Sequence, residues 1–195
     1  ADLGAGVGLD VNWWATLETR DDPPEPRNYT VYAVDRNISQ IDAEINQLPN
    51  VHSLDYDING PHLQLPKPVD FIWCHDTFQY ITDPVGTLKS WNQSLNVNGM
   101  LLLIFPQAQH YAYNRLQAHS YNNVYFNHNI VNLIYMLAVN GFDCNDAYFL
   151  KEENDPWLHA AVYKTDIKPM DPTTTNWYHL AEMNLINESV VHSLT

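Results

Sequence analysis

Near its start the chain carries Asp2-Leu3-Gly4-Ala5-Gly6-Val7-Gly8, an acid followed by three glycines at alternate positions. Glycines spaced this way let a backbone turn sharply and come close to a ligand. A dinucleotide fingerprint counted from Gly4 would put its third glycine at position 9, where Leu9 stands. An acid at the head of such a loop repels a pyrophosphate and suits a ligand with a cationic amino-acid end and no phosphate. Asp35 closes the β-rich run 30–34, where a carboxylate accepts hydrogen bonds from vicinal ribose hydroxyls. Asp57, just after the next apolar run, can receive an exocyclic adenine amine, and Ile58 can pack on the ring. His75 and Asp76 end a further apolar run, with Tyr80 close behind, and ligands of open α/β sheets bind outside the carboxyl ends of the strands.

The elements that must position these residues alternate between short apolar runs and longer periodic segments, the pattern of a mostly parallel sheet with crossover helices. Strands are expected over 30–34, 51–54, 69–74 and 100–105. A helix is expected where Ile38, Ile41, Ile45 and Leu48 fall at helical spacing. A second begins at Asp83-Pro84 with Val85, Leu88, Trp91 and Leu95 as its buried stripe, and a third runs over about 127–140 and closes at Gly141. Residues 96–99 are expected as a turn, and 148–151 with 157–164 as a closing antiparallel hairpin. The strand before the glycine loop is truncated to three residues here, so residues upstream of Ala1 are expected in the natural protein. The chain's 195 residues, 45% hydrophobic, suffice for one domain with a real core.

Four pieces in this order make the chain similar to the class I S-adenosylmethionine-dependent methyltransferases, in their small-molecule methyltransferase-domain branch. They are Asp2-x-Gly4-x-Gly6-x-Gly8, Asp35, Asp57-Ile58, and the long stretch from Asp70 to Pro106. The resemblance covers about residues 1–164. It implies a doubly wound, Rossmann-like seven-stranded α/β sheet, mostly parallel with a C-terminal antiparallel hairpin. It further implies that Asp2, Gly4, Gly6 and Gly8 hold the methionine end of S-adenosylmethionine, Asp35 the ribose, Asp57 and Ile58 the adenine, and that His75 faces the methionyl part. The chain departs from the family at Tyr80, where a histidine is frequent, at Asn98-Gly99, where two glycines are usual, and at the bulky Trp13-Trp14.

The activated methyl of such a cofactor needs in-line placement of an acceptor, and a base only where the acceptor must lose a proton. The candidates for that base are His75, Asp76, Tyr80 and His110. The position that carries Asn/Asp-Pro-Pro-aromatic in nucleobase-amine methyltransferases reads His75-Asp76-Thr77-Phe78, and acids outnumber bases 23 to 9 for a charge of −14. Both features disfavour a nucleic-acid substrate. The expected function is methyl transfer to a small molecule at oxygen or carbon; a non-catalytic partner subunit and a protein or peptide methyltransferase are the alternatives. Residues 1–165 are expected as the cofactor-binding domain, 107–126 as a Tyr-rich substrate lid with Arg115, and 166–195 as a linker and C-terminal helix able to dock on its own domain or in a homodimer. No metal site is expected, since His119 and His128 lack a third ligand. With no run apolar enough to span a membrane and no signal peptide visible, a cytoplasmic protein is expected.

Overall fold

The computed structural model describes residues 1–21, 23–60, 62–106, 129–151 and 157–187. The chain forms two compact units, Ala1–Ile58 and Asn59–Thr195.

In the first unit, β1 (Asp2–Leu3), β2 (Val31–Asp35) and β3 (Val51–Asp55) form a parallel sheet in the order β3-β2-β1. Its register sets Asp2 beside Ala33 and Asp35 beside Asp55. Because β2 is covered on both faces, Val31, Tyr32, Ala33 and Val34 are all buried, the continuous apolar run of an interior parallel strand. Helix α1 (Leu9–Thr16) buries Val11 into a cluster with Ala5, Val31, Ala33, Ile41 and Val51.

The single helix expected through Ile38, Ile41, Ile45 and Leu48 is broken in two: a 3-10 turn at Ile38–Gln40 and a short α2 at Ala43–Asn46. Ile41 is extended (φ −62°, ψ 132°), and the Asp42 carboxylate accepts the Glu44 N–H at 2.8 Å to start α2. The apolar spacing correctly marks the buried face, since all four residues pack in the same cluster. An aspartate in mid-pattern nevertheless captures the backbone for a new cap.

The second unit holds β4 (Val69–His75), a 3-10 turn (Phe78–Tyr80), α3 (Pro84–Ser94), β5 (Leu95–Pro106), α4 (Ile130–Val139), β6 (Phe142–Lys151), β7 (Trp157–Lys164) and α5 (Trp177–Glu182). Its strand order is β4-β5-β7-β6, with β4 and β5 parallel and the last two pairings antiparallel. Asp83 caps α3 by accepting the Gly86 N–H at 2.9 Å, and Leu88 and Trp91 are fully buried beneath it.

Two boundaries differ from the sequence expectation. The turn at 96–99 is a bulge inside β5: Val69 pairs with Leu95, and Phe71 next pairs with Met100. Asn98 takes a left-handed φ of 63°, and Asn96 Nδ2 donates to Asp70 Oδ1 at 2.8 Å, so the extra residues stay tied to β4. Strand β6 starts at Phe142, six residues ahead of the expected hairpin, and its register slips between Asp143 and Tyr148. There the Asp143 carboxylate accepts the N–H groups of Asn145 (2.8 Å) and Asp146 (3.3 Å), an Asx turn that interrupts the ladder.

Beyond β7, the C-terminal segment folds over α4. Leu180, Leu185 and Ile186 are buried with Ala138, and the Tyr135 hydroxyl donates to the Pro172 and Thr175 carbonyls at 2.9 and 2.7 Å.

Candidate functional site

The first unit contains the glycine loop and its carboxylates. From β1 the chain turns at once, with the N–H groups of Gly4 and Ala5 both donating to the Val34 carbonyl at 2.8 and 3.1 Å. Gly4, Gly6 and Gly8 all have positive φ. The requirement is sharpest at Gly8, which caps α1 at φ +91°, where an added Cβ would meet Ile45 Cδ1 at 3.3 Å and Ile41 Cγ2 at 3.4 Å. The middle of the loop is fastened to β2: Gly6 N–H donates to Asp35 Oδ2 at 3.0 Å. The same carboxylate takes the Asn37 N–H on Oδ1 at 2.8 Å. Asp35 therefore sits at the carboxyl end of β2 with both oxygens engaged by backbone, and each oxygen retains a second lone pair for a hydroxyl donor.

Asp2 lies in the adjoining strand, 2% exposed, and no described polar group meets its Oδ2. Burial is the main reason its carboxyl is pushed up to about 7, and Asp10 and Asp35 push the same way. A deeply buried acid with an open oxygen is costly to ionise alone and is relieved by a cation or a hydrogen-bond donor. Asp10, in the first turn of α1, is a member of this acidic group that sequence spacing does not single out. Asp57 is exposed and Ile58 is 7% exposed, both just past β3. The Tyr56 N–H donates to the Asp35 carbonyl at 3.1 Å, tying their segment to the end of β2.

The second unit gathers the remaining candidates at the end of β4. His75 is its last residue, half-buried, its ring edge-on to Trp73 and Trp157 at centroid distances of 5.9 and 5.4 Å. Asp76 follows at a left-handed φ of 50°, its N–H donating to the Ile104 carbonyl at 2.8 Å. Its carboxylate accepts Gln79 Nε2 on Oδ1 at 2.6 Å. Desolvation raises the Asp76 carboxyl above its usual range, and the Gln79 bond and nearby His75 pull it back. Tyr80, half-buried, ends the same 3-10 turn and donates its N–H to the Thr77 carbonyl at 2.9 Å. Gln79 is 2% exposed and carries no expectation from the sequence, because its value lies in a tertiary bond rather than in its residue type. His110, the lid at 107–126 with Arg115, and the pair His119 and His128 lie outside the described residues.

Among the described residues no group of three or more His, Cys, Asp or Glu is placed to hold a metal ion. No helix among them is long and apolar enough to cross a membrane.

The profile of a family described as "Methyltransferase domain" matches residues 1–103. No curated protein matches the sequence. Among solved structures, the chain is similar to the complex between the Haloferax volcanii Trm112 methyltransferase activator and a methyltransferase. The match has a TM-score of 0.64 and 12% identity, over 84% of this chain and 81% of that one. An S-adenosylmethionine-dependent methyltransferase from Mesorhizobium loti gives 0.63 and 13%, over 84% and 89%. The N-methyltransferase NodS from Bradyrhizobium japonicum gives 0.58 and 13%, over 85% and 84%. At such identities the likeness shows the fold: a Rossmann-like α/β sheet of seven strands, mostly parallel, with an antiparallel C-terminal pair. The profile match, the glycine loop followed by an acid-ended β2, and this fold agree, and the chain belongs to the class I S-adenosylmethionine-dependent methyltransferases, with S-adenosylmethionine as its cofactor.

Proposed function

We propose that the chain transfers a methyl group from S-adenosylmethionine to a small-molecule acceptor, at oxygen or carbon rather than at a nucleobase amine, in the cytoplasm. The observation that carries this reading is the pairing of a deeply buried Asp2, whose Oδ2 meets no described polar group, with a glycine loop fastened by Gly6 N–H to Asp35. These residues fit a cationic nucleoside. Asp2 offers an unmet acceptor, the loop offers backbone without Cβ atoms, and Asp35 has lone pairs left for vicinal hydroxyls. In this assignment Asp2, Gly4, Gly6 and Gly8 hold the methionine end, Asp35 the ribose, and Asp57 with Ile58 the adenine. The bound cofactor supplies a methyl group already activated by its positive sulfur.

The protein's own contribution is placement. Holding two reactants in line lowers a barrier by up to about 7–11 kcal/mol, so a modest site suffices. The family resemblance assigns His75, at the end of β4, to the methionyl part; Asp76 and Tyr80 are assigned to the acceptor, with Asp76 the base where a proton must leave. A negative chain carrying −14 draws cationic or neutral small molecules more readily than a phosphate polymer.

A second reading, a methyltransferase fold working with a protein partner, has one observation in its favour. The Haloferax structure with 81% of its chain covered is a complex with a methyltransferase activator. The test is release of S-adenosylhomocysteine when the purified chain meets S-adenosylmethionine and a panel of phenols, alcohols, amines and activated carbon acids. Turnover of a panel member supports the small-molecule reading. Tight cofactor binding without turnover, relieved by adding a partner protein, supports the second.

A further inference from the structure

The carboxylate of Asp76 is held by a residue that no methyl-transfer motif in the sequence called for. Gln79 sits on the 3-10 turn after β4, whose neighbours Phe78 and Ile81 are 0% and 1% exposed, so its backbone cannot drift. From there Nε2 donates to Asp76 Oδ1 at 2.6 Å. With the amide turned this way, Gln79 Oε1 lies buried without a partner among the described residues. Leaving a buried carbonyl unmet is costly, a cost that an apolar side chain of similar size would avoid. Turned the other way, the amide oxygen would face the carboxylate. The amide is thus kept in place for its bond to Asp76.

Asp76 itself occupies the left-handed region, which residues other than glycine rarely adopt, and needs its surroundings to hold it there. The Ile104 carbonyl and Gln79 do so from two sides, and Asp76 as a residue remains exposed.

We propose that Gln79 is the positioning residue for Asp76, fixing its carboxylate at the end of β4 to accept a hydrogen bond from a hydroxyl or ammonium group of the methyl acceptor. The inference rests on the reading that this end of β4 borders the acceptor, and it deepens that reading. An acceptor with no hydroxyl or amine group has no polar hydrogen for Asp76, so the pair favours acceptors that carry one.

The test combines carboxyl-carbon NMR titration of Asp76 with initial rates on a panel of phenols, alcohols and primary amines. Wild type, Gln79→Leu, Gln79→Glu and Asp76→Asn are compared, with S-adenosylmethionine affinity as the control for folding. Loss of the amide in Gln79→Leu should move the Asp76 titration upward, because a bond favouring the ionised form is gone. The acceptor KM should rise at least fivefold in Gln79→Leu and in Asp76→Asn, with cofactor affinity unchanged. Gln79→Glu should regain a low KM only at acid pH, where its protonated carboxyl can donate to Asp76, a pH signature that a packing role would not produce. An unmoved Asp76 titration in Gln79→Leu, or an unchanged KM in both substitutions, overturns the proposal while leaving the function intact. Turnover of activated carbon acids alone overturns the acceptor role of Asp76 and leaves the small-molecule function standing, whereas cofactor binding with no turnover of any of these compounds or of the carbon acids refutes both.

Discussion

At the scale of single residues, the carboxylates have different duties because their surroundings differ. Asp2 is legible in the sequence as the acid heading a glycine loop. Its burial at 2% exposure and its acidic neighbour Asp10 are not, because both depend on tertiary packing. The sign of its effect on stability follows from its titration near 7 in the folded chain against 3.8 when unfolded. Between pH 4 and pH 7 the unfolded chain has released this proton while the folded chain still holds it. Stability therefore falls as pH rises through that window, by on the order of 4 kcal/mol in full. Asp2→Asn removes that slope. Urea denaturation at pH 5 and pH 8 should show a smaller loss of stability toward alkaline pH in the Asn variant than in wild type; equal slopes would mean that Asp2 ionises freely. Gln79 marks the opposite limit of legibility: a glutamine inside an aromatic run reads as ordinary, and only the 2.6 Å bond to Asp76 gives it a purpose.

At the scale of elements, the sequence pattern locates buried faces well and boundaries poorly, for reasons that are local. Ile38, Ile41, Ile45 and Leu48 all reach the core, yet the Asp42 side chain caps a new turn and splits the helix. Asp143 in the same way folds an Asx turn into β6 and shifts its register, and Asn98 with its left-handed φ turns an expected loop into a bulge of β5. Short polar side chains that bond their own backbone decide such matters, and they leave little trace in a hydrophobic period. Asp83-Pro84 is the contrasting case, where cap and first-turn proline announce α3 without ambiguity. Asp83→Ala should cost about 1 kcal/mol through the lost cap, read as a lower urea midpoint. Gly8→Ala should cost about 1–2 kcal/mol from the left-handed backbone alone. It should also loosen the glycine loop, because the new methyl group would press on Ile45 and Ile41. Circular dichroism with urea measures the first effect and weaker cofactor binding the second.

At the scale of the whole molecule, the class of fold was readable because apolar strands, crossover helices and a closing hairpin follow one another in an order that few architectures share. The C-terminal segment is legible only in part: a linker and a helix able to dock are expected over 166–195, but a weak stripe does not mark Leu180, Leu185 and Ile186 as the residues that bury against Ala138 of α4. Leu180 is fully buried, so Leu180→Ala should destabilise the chain by about 2–5 kcal/mol in thermal or urea unfolding; a loss under 1 kcal/mol would mean the segment is an appendage. The central claim is that the glycine loop and the end of β2 act together as the seat of the cofactor. Calorimetric titration of S-adenosylmethionine into wild type and Asp35→Ala tests it most directly. The variant should bind about 5- to 150-fold more weakly, as expected for about 1–3 kcal/mol of lost hydrogen bonding at the ribose and at Gly6 N–H. Equal affinity in the two proteins would place the nucleoside elsewhere and contradict the account.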